Sequence, residues 1–386
     1  MNVLPSGRKT SFRLIPSADD ESRPAGSGRK AELAIRFLDD DSLEDRTAWL
    51  ELWDEWPDRE IMAHPDYARL FARPQDRVLA VTARTKGGGI LYPIILRPLA
   101  QEPWMPPGLD LYDTTTPYGY GGPFAWGTTE PEAAQFWTGF GEWAQRQRVV
   151  SSFARLSLFP GKLLPWNGQV TVSGPNIIRS LDLEEEQIWA DYSYKVRQNV
   201  QRARRKGLTV EADLSGERLD EFLTVYLATM KRCGAAPSYY FPRSFFESIC
   251  THLKGSFAFF HMSLGTKVIA SELVLLSQDY AYSYLGGSVE EAFELRGNEH
   301  LKHESFMWCR NAGKKGIVLG GGYRGQDGIL QFKRAFAPTG EVSFNLGVTA
   351  SDPRLCDRLV EQRTTWEREN GVDWRPQPGY FPPYRS

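Results

Sequence analysis

The sequence predicts an α/β (α+β) protein made of two copies of one unit, each a mixed central sheet flanked by helices. Three observations lead there. The order helix, helix, strands, helix, strand occurs twice, as a repeat of elements without a repeat of residue identities. A helix rich in basic residues stands between the two copies. At 386 residues the chain is long enough for two ordinary domains. The layout expected is a disordered tail over residues 1–33 and a first domain over 34–183. A second domain over 184–350 opens with a linking helix over 184–206, and a closing helix and tail occupy 351–386.

Composition narrows the function classes. A net charge of −2 argues against a uniformly basic nucleic-acid binder and leaves room for a local basic patch. Hydrophobic residues make up 41% and aromatic ones 13%, enough for a sizeable core. The longest apolar runs are strand-sized, such as Val268 to Leu276, which Glu272 interrupts; none has the length of a membrane span. Cys233, Cys250, Cys309 and Cys356 form no Cys-x-x-Cys pair, which disfavours structural zinc and fits a reducing compartment. No apolar run follows Arg8 and Lys9, so no signal peptide is expected and a cytoplasmic location is. The stretch up to Lys30 is rich in Ser, Pro, Gly and Arg and lacks periodicity, as a disordered tail would.

In the first copy, Asp41-Ser42 caps a helix carrying Trp49, Leu50, Trp53 and Trp56, which Pro57 helps to end. Pro65 to Phe71 reads as a second short helix. Val78 to Ala83 and Ile90 to Leu96 read as strands joined at Lys86-Gly87-Gly88-Gly89. Pro131 opens a helix reaching Arg146 with the stripe Ala133, Phe136, Trp137, Phe140 and Ala144. Ser152 to Phe159 and Ile177 to Leu183 are the next strands. Glu184 to Lys206 reads as one long helix with Tyr192, Val196, Val200 and Ala203 as its apolar stripe. No acid occurs between Tyr192 and Val210, and Gly207 is placed to stop the helix.

The second copy has helices over Glu217 to Arg232 and Pro242 to Leu253. A three-stranded meander follows over Ser256 to Leu264, Lys267 to Ser277 and Tyr280 to Gly286. Asn298 is placed to cap a helix reaching Asn311. Ile317 to Leu319 and Glu341 to Val348 are strands, and Pro353 to Glu369 is a closing helix. Between the last two strands lies Gly320-Gly321-Gly322, a turn, and a short amphipathic segment presenting Phe332, Lys333 and Phe336. Consecutive glycines allow close approach of another molecule, and a tight turn or bulge is the plain alternative.

Four stretches carry a family resemblance: Thr116-Pro117-Tyr118-Gly119-Tyr120-Gly121-Gly122-Pro123; Tyr194-Lys195-Val196-Arg197-Gln198-Asn199-Val200 with Arg202-Ala203 and Lys206-Gly207; Tyr240-Phe241; and Gly320-Gly321-Gly322 with Leu330, Phe332, Lys333 and Phe336. In this order and spacing the chain resembles the Fem (FemAB-like) peptidoglycan-bridge aminoacyltransferases and the wider group with tandem acetyltransferase-like (GNAT) folds. The resemblance covers most of Ala34 to Val348. It implies two GNAT-like domains sharing a cleft, and transfer of an acyl or aminoacyl group to an amine of a cell-envelope precursor or related metabolite. It implies acyl-CoA or aminoacyl-tRNA as the donor substrate, with no permanently bound cofactor. The chain lacks the long helical-arm insertion of some members of the family. It also lacks a clean pyrophosphate loop, for which Leu295-Arg296-Gly297-Asn298 is the nearest equivalent.

Amide formation needs an uncharged amine held in line and a stabilised oxyanion. By the resemblance, the Phe332-Lys333 pair lies at the catalytic cleft, with Lys333 contacting the carbonyl or a donor phosphate; a surface lysine over core aromatics is the alternative. Lys195, Arg197 and Arg202 are candidates for a phosphate-bearing donor or acceptor, against the reading of a solvated helix face. Tyr118 and Tyr120 are candidates on the acceptor side. Tyr240, Tyr323 and Arg324 are secondary cleft candidates, and Arg296, Gly297 and Asn298 are candidates for the donor's pyrophosphate. Asp113 and Asp327 read as turn aspartates or proton acceptors. His300 and His303 lie a helical turn apart without a third ligand, so no metal is expected. A different class remains open: a non-catalytic GNAT-like module that binds a saccharide, a nucleotide or RNA.

Overall fold

The computed structural model describes residues 32–322 and 327–386. Strands of the first half are β1 (Ile35–Asp39), β2 (Arg77–Arg84), β3 (Gly89–Pro98), β4 (Tyr112–Thr115), β5 (Phe124–Trp126), β6 (Val149–Arg155) and β7 (Gln169–Ser180). Those of the second half are β8 (Leu208–Asp213), β9 (Phe257–Leu264), β10 (Lys267–Leu276), β11 (Tyr280–Ser288), β12 (Gly316–Gly321) and β13 (Glu341–Ala350). All join one mixed sheet in the order β1-β2-β3-β4-β6-β13-β7-β12-β11-β10-β9-β8, with β5 paired to β3. The α/β class and the doubled unit expected from the sequence are both present.

The halves exchange their last strands. β7 follows β6 in the chain yet pairs with β12 of the second half, and β13 follows β12 yet pairs with β6 of the first. β7 and β13 then pair antiparallel with each other at the centre, from Glu341 opposite Ile177 to Val348 opposite Gln169. The sheet is therefore continuous across both copies.

Each half contains one parallel pair, β4 with β6 and β11 with β12. A parallel pair needs a crossover, which the helices Glu130–Arg146 and Gly297–Asn311 supply. The pairs are short. β11 and β12 part after Tyr282 opposite Val318, and β4 and β6 after Thr115 opposite Phe153. Beyond Tyr282 and Val318 the second-half pair parts into a cleft, whereas in the first half the loop after β4 returns to β6, where Gly121 bridges Leu156.

Ile61, Met62, Tyr67 and Leu158 of the first half pack with Phe222, Phe246, Tyr282 and Val318 of the second. Burial of such side chains stabilises by roughly 1.5–3 kcal/mol each. Polar contacts also cross here. The Ile61 amide donates to Ser277 Oγ at 2.9 Å, and the Tyr282 hydroxyl donates to Glu60 Oε2 at 2.7 Å. Glu60 is fully buried, and Lys162 Nζ pairs with its other oxygen at 2.6 Å. The closing helix Pro353–Glu369 returns to the first half, where Cys356 and Leu359 pack with Leu99, Trp104 and Val150.

Four expectations are corrected. The helix over 184–206 is two helices, Glu185–Asp191 and Tyr194–Arg205. The chain breaks because Tyr192 turns its buried ring against Phe336 and Ser193 starts a new cap, its hydroxyl accepting from the Val196 amide. Asn298 is not a cap: the helix begins at Gly297, and Arg296 holds the cap place with a left-handed φ of 57°. Asp113 is not a turn residue. It lies within β4, fully buried, accepting from Arg97 Nε at 2.6 Å and from Arg385. Asp327 caps the helix Gly328–Arg334, its carboxylate accepting from the Leu330 amide at 3.0 Å. β1, β4, β5 and β8 were not anticipated, being short or polar.

Candidate active site

The cleft between β11 and β12 gathers the polar groups. β12 ends in Gly320, whose φ of +80° is one a side chain would strain. A Cβ there would lie 3.3 Å from Lys333 Nζ, 3.4 Å from Tyr120 Oη and 3.9 Å from Asn176 Oδ1. Glycine thus leaves room for three groups from three segments to converge. Lys333 comes from the helix Gly328–Arg334, Tyr120 from the loop after β4, and Asn176 from the exchanged strand β7.

The three are ordered. Lys333 Nζ donates to the Gly321 carbonyl at 2.6 Å, and the Tyr120 hydroxyl donates to Asn176 Oδ1 at 2.6 Å. Tyr120 stacks on Tyr282 with centroids 5.7 Å apart, and Tyr282 is anchored on Glu60. Lys333 titrates at about 8, far below an ordinary lysine, mainly because burial disfavours its charge and also because Lys302 is near; Glu272 and Asp327 oppose this. Lys302 is itself paired with Glu272 and donates to Ser283 Oγ. An ammonium of lowered pKa beside a hydroxyl and an amide can hold an oxyanion or a carbonyl oxygen.

The other sequence candidates fall out as follows. Phe332 packs edge-on against Phe336 at 5.1 Å, at the margin of the second-half core. Tyr118 is 43% exposed and leans toward Phe71, Tyr284 and Arg155. Tyr240, equally exposed, follows the turn Pro237–Tyr239. Tyr323 and Arg324 lie outside the described residues.

The basic helix begins beside this cleft, because the Ser193 amide donates to the Ala335 carbonyl at 2.8 Å. Its cations are not equivalent. Arg197 donates to the Ala190 carbonyl at 2.8 Å and to the Tyr192 carbonyl, closing the end of the preceding helix. Arg204 pairs with Glu304 at 2.8 Å. Lys195, Arg202 and Arg205 are exposed and make no ion pair with described residues. Arg202 and Arg205, with Tyr194, Arg197 and Gln201, line an open groove of about 420 Å³.

The proposed pyrophosphate segment looks different in three dimensions. A Cβ on Gly297 would stand 2.1 Å from Met262 Cε, so this glycine serves packing. Glu299 occupies the first helical turn and accepts from Asn199 Nδ2 at 2.7 Å. Asn298 Nδ2 donates to Ser288 Oγ at 3.4 Å. His303 Nδ1 faces the Tyr192 hydroxyl at 3.3 Å, and His300 Nε2 the Leu208 carbonyl at 3.3 Å. Burial holds His303 down at about 4, a neutral ring at pH 7. Among the described residues no group of three or more His, Cys, Asp or Glu is placed to hold a metal.

Sequence reasoning missed Asn176, Ser283 and Lys302. Glu272 carried a signal, as an acid interrupting a buried apolar strand; Asn176 carried none, because its place depends on strand exchange.

Two halves of this shape sharing one sheet define a tandem GNAT-like fold. An acetyltransferase (GNAT) domain family matches residues 190–334. The crystal structure of FemX is similar with TM-score 0.60 at 13% identity, over 82% of this chain and 98% of that one. The C-terminal domain of a protein described as a lysylphosphatidylglycerol synthetase from Agrobacterium fabrum is similar with TM-score 0.53 at 15% identity, over 83% and 97%. A protein of unknown function from Bacteroides thetaiotaomicron gives TM-score 0.52 at 12% identity, over 81% and 99%. No curated protein matches. At these identities the structural likeness concerns the fold. No helix among the described residues is long and apolar enough to cross a membrane.

Proposed function

We propose that this chain is a cytoplasmic N-acyltransferase that moves an acyl or aminoacyl group from a thioester or an aminoacyl-tRNA to an amine of a cell-envelope precursor or related metabolite. The observation that carries the reading is the convergence of Lys333 Nζ, Tyr120 Oη and Asn176 Oδ1 around Gly320. The neutral amine attacks the acyl carbon, the bond to sulfur or to the ribose oxygen breaks, and the amine's proton leaves with that thiol or hydroxyl. Lys333 stabilises the oxyanion in between, and Phe332 holds the helix that positions it. Tyr118 and Tyr120 line the acceptor side, and Tyr240 is a further candidate for the cleft.

Two features favour the tRNA donor over acyl-CoA. Glu299 lies in the helical turn where a coenzyme pyrophosphate would bind, which opposes a second anion at Arg296, Gly297 and Asn298. Lys195 and Arg202 are exposed and make no ion pair with described residues, and the groove beside Arg197 and Arg202 suits a phosphate backbone. The test is native mass spectrometry of the protein with coenzyme A and acyl-CoAs, and separately with bulk charged tRNA. Retention of tRNA that is lost at high salt supports the aminoacyl-transfer reading, and retention of coenzyme A reassigns the donor. Binding of neither donor, with retention of a saccharide or nucleotide, would replace the enzyme by a binding module.

A further inference from the structure

The first half carries an arginine at the place equivalent to Gly320, where the loop after β4 rejoins β6 through the bridge of Gly121 with Leu156. Gly320 stands two residues beyond the last β11–β12 pair, Val318 with Tyr282. Arg155 stands two residues beyond the last β4–β6 pair, Phe153 with Thr115. Where the second half has a glycine that admits a lysine, the first half has an arginine.

Arg155 is half-buried, and its guanidinium makes no hydrogen bond or ion pair with any described residue. It lies over the Phe153 ring at 5.1 Å and the Tyr118 ring at 5.4 Å. The titratable groups that act on it most strongly are Tyr118, Tyr380, Arg97 and Tyr67. Arg97 is already neutralised by Asp113 at 2.6 Å. Five other arginines of the first half, Arg46, Arg69, Arg73, Arg77 and Arg84, each have an acid partner. Burying a guanidinium without a counter-ion costs stability, and its planar fork fits a two-oxygen anion while the aromatic rings cover its faces. Burial also lowers its pKa.

The loop Thr116 to Pro123 joins this arginine to the Lys333 cleft. Tyr118 leans on Arg155, whereas Tyr120 reaches Asn176, and the Gly121 amide donates to the Arg155 carbonyl at 2.7 Å. Along the sheet, β6 and β12 are separated by β13 and β7. Three strand spacings separate β6 from β12 by about 14 Å across the sheet, and the register sets the two positions apart along the strands as well, Arg155 lying opposite Leu346 and Gly320 opposite Ile177.

We propose that Arg155 is an oxyanion-binding site for the acceptor, holding a carboxylate or phosphate of an extended molecule whose amine reaches Lys333. The acceptor assignment rests on the acyl-transfer reading; the anion site does not. Tyr118 and Phe71, with centroids 6.0 Å apart, provide an aromatic wall beside the anion.

The test is calorimetric titration of the full chain with phenyl phosphate and with benzoate at constant ionic strength, without any donor. We expect at least one probe to bind, with Arg155→Gln weakening it at least about ten-fold, Arg155→Lys by less, and Lys333→Met by less than about two-fold. Preference for phenyl phosphate assigns a phosphate, and preference for benzoate a carboxylate. Thermal melts check folding; if Arg155→Gln is unfolded, the comparison passes to Arg155→Lys, which keeps the charge but loses the fork and is then expected to weaken binding at least about three-fold. Binding of neither probe to the wild type, or unchanged binding in the folded Arg155 variants, overturns the proposal. Arg155-dependent binding in a protein that transfers nothing would retain the anion site and remove the enzymatic reading instead.

Discussion

Lys333 Nζ lies 2.6 Å from the carbonyl oxygen of Gly321 and donates to it. The ammonium is thereby held at the mouth of the β11–β12 cleft, within reach of Tyr120 and Asn176. Replacement by methionine keeps the length and apolar stem and removes the charge. Turnover by Lys333→Met is expected to fall by about 10²–10³-fold, with the fold intact. Single-turnover rates with the donor identified by mass spectrometry check this, and a loss under about five-fold would remove Lys333 from the chemistry.

The lowered pKa of Lys333 fixes the sign of a stability effect. A base whose pKa falls from 10.5 to about 8 on folding is held charged at a cost below about pH 8. Between about 8 and 10.5 the unfolded chain binds more protons, so this contribution makes the protein more stable as pH rises. Lys333→Met should therefore be more stable than wild type at pH 7 by about 1–2 kcal/mol, after allowing for the lost bond to Gly321. Urea melts at pH 7 and pH 9.5 should show the difference shrinking. If the ammonium is the working form, activity declines through about pH 8, a limb that Lys333→Met lacks.

The basic helix separates binding cations from structural ones. Arg202→Glu combined with Arg205→Glu should weaken tRNA retention by at least about ten-fold and flatten its salt dependence. Arg197→Ala should instead cost about 1–2 kcal/mol of stability, because the carbonyls of Ala190 and Tyr192 lose their donor. Filter binding across salt concentrations and thermal melts distinguish the two effects. Equal loss of binding in all variants would mean that the groove acts as a unit.

Glu60 ties the two halves together. Its fully buried carboxylate is held by Lys162 and Tyr282, so Lys162→Met leaves a buried charge with only one of these donors. The expected cost is about 3–5 kcal/mol, whereas Tyr282→Phe should cost about 1–3 kcal/mol. Chemical denaturation measures both. A neutral Lys162→Met would show that water replaces the ammonium.

Much of the fold was legible because it is written in local periodicity. The stripe of Phe136, Phe140 and Ala144 is buried as its spacing requires. The meander from Phe257 to Ser288 appears as three strands with turns where the turn residues stand. The break at Tyr192 and Ser193 was hidden because the helical stripe runs through it, and only the docking of Tyr192 against Phe336 shows why it occurs. Of the site, Lys333 and the glycine run were visible as neighbours in the chain. Their partner Asn176 was not, and neither was the structural use of Gly297 against Met262.

The sequence by itself determined the types of most elements, their doubled order, the GNAT-like class and the placing of Lys333 beside a glycine-rich strand end. These follow from side-chain spacing and backbone freedom over a few residues. The tertiary structure decided which strands are exchanged, which cations are paired and which groups meet. Tyr120 and Asn176 are 56 residues apart, and Glu60 and Tyr282 are 222 apart. Periodicity states that a face is buried without stating against what. The partner is chosen by register across the sheet, and that register exists only once β7 and β13 have crossed between the halves.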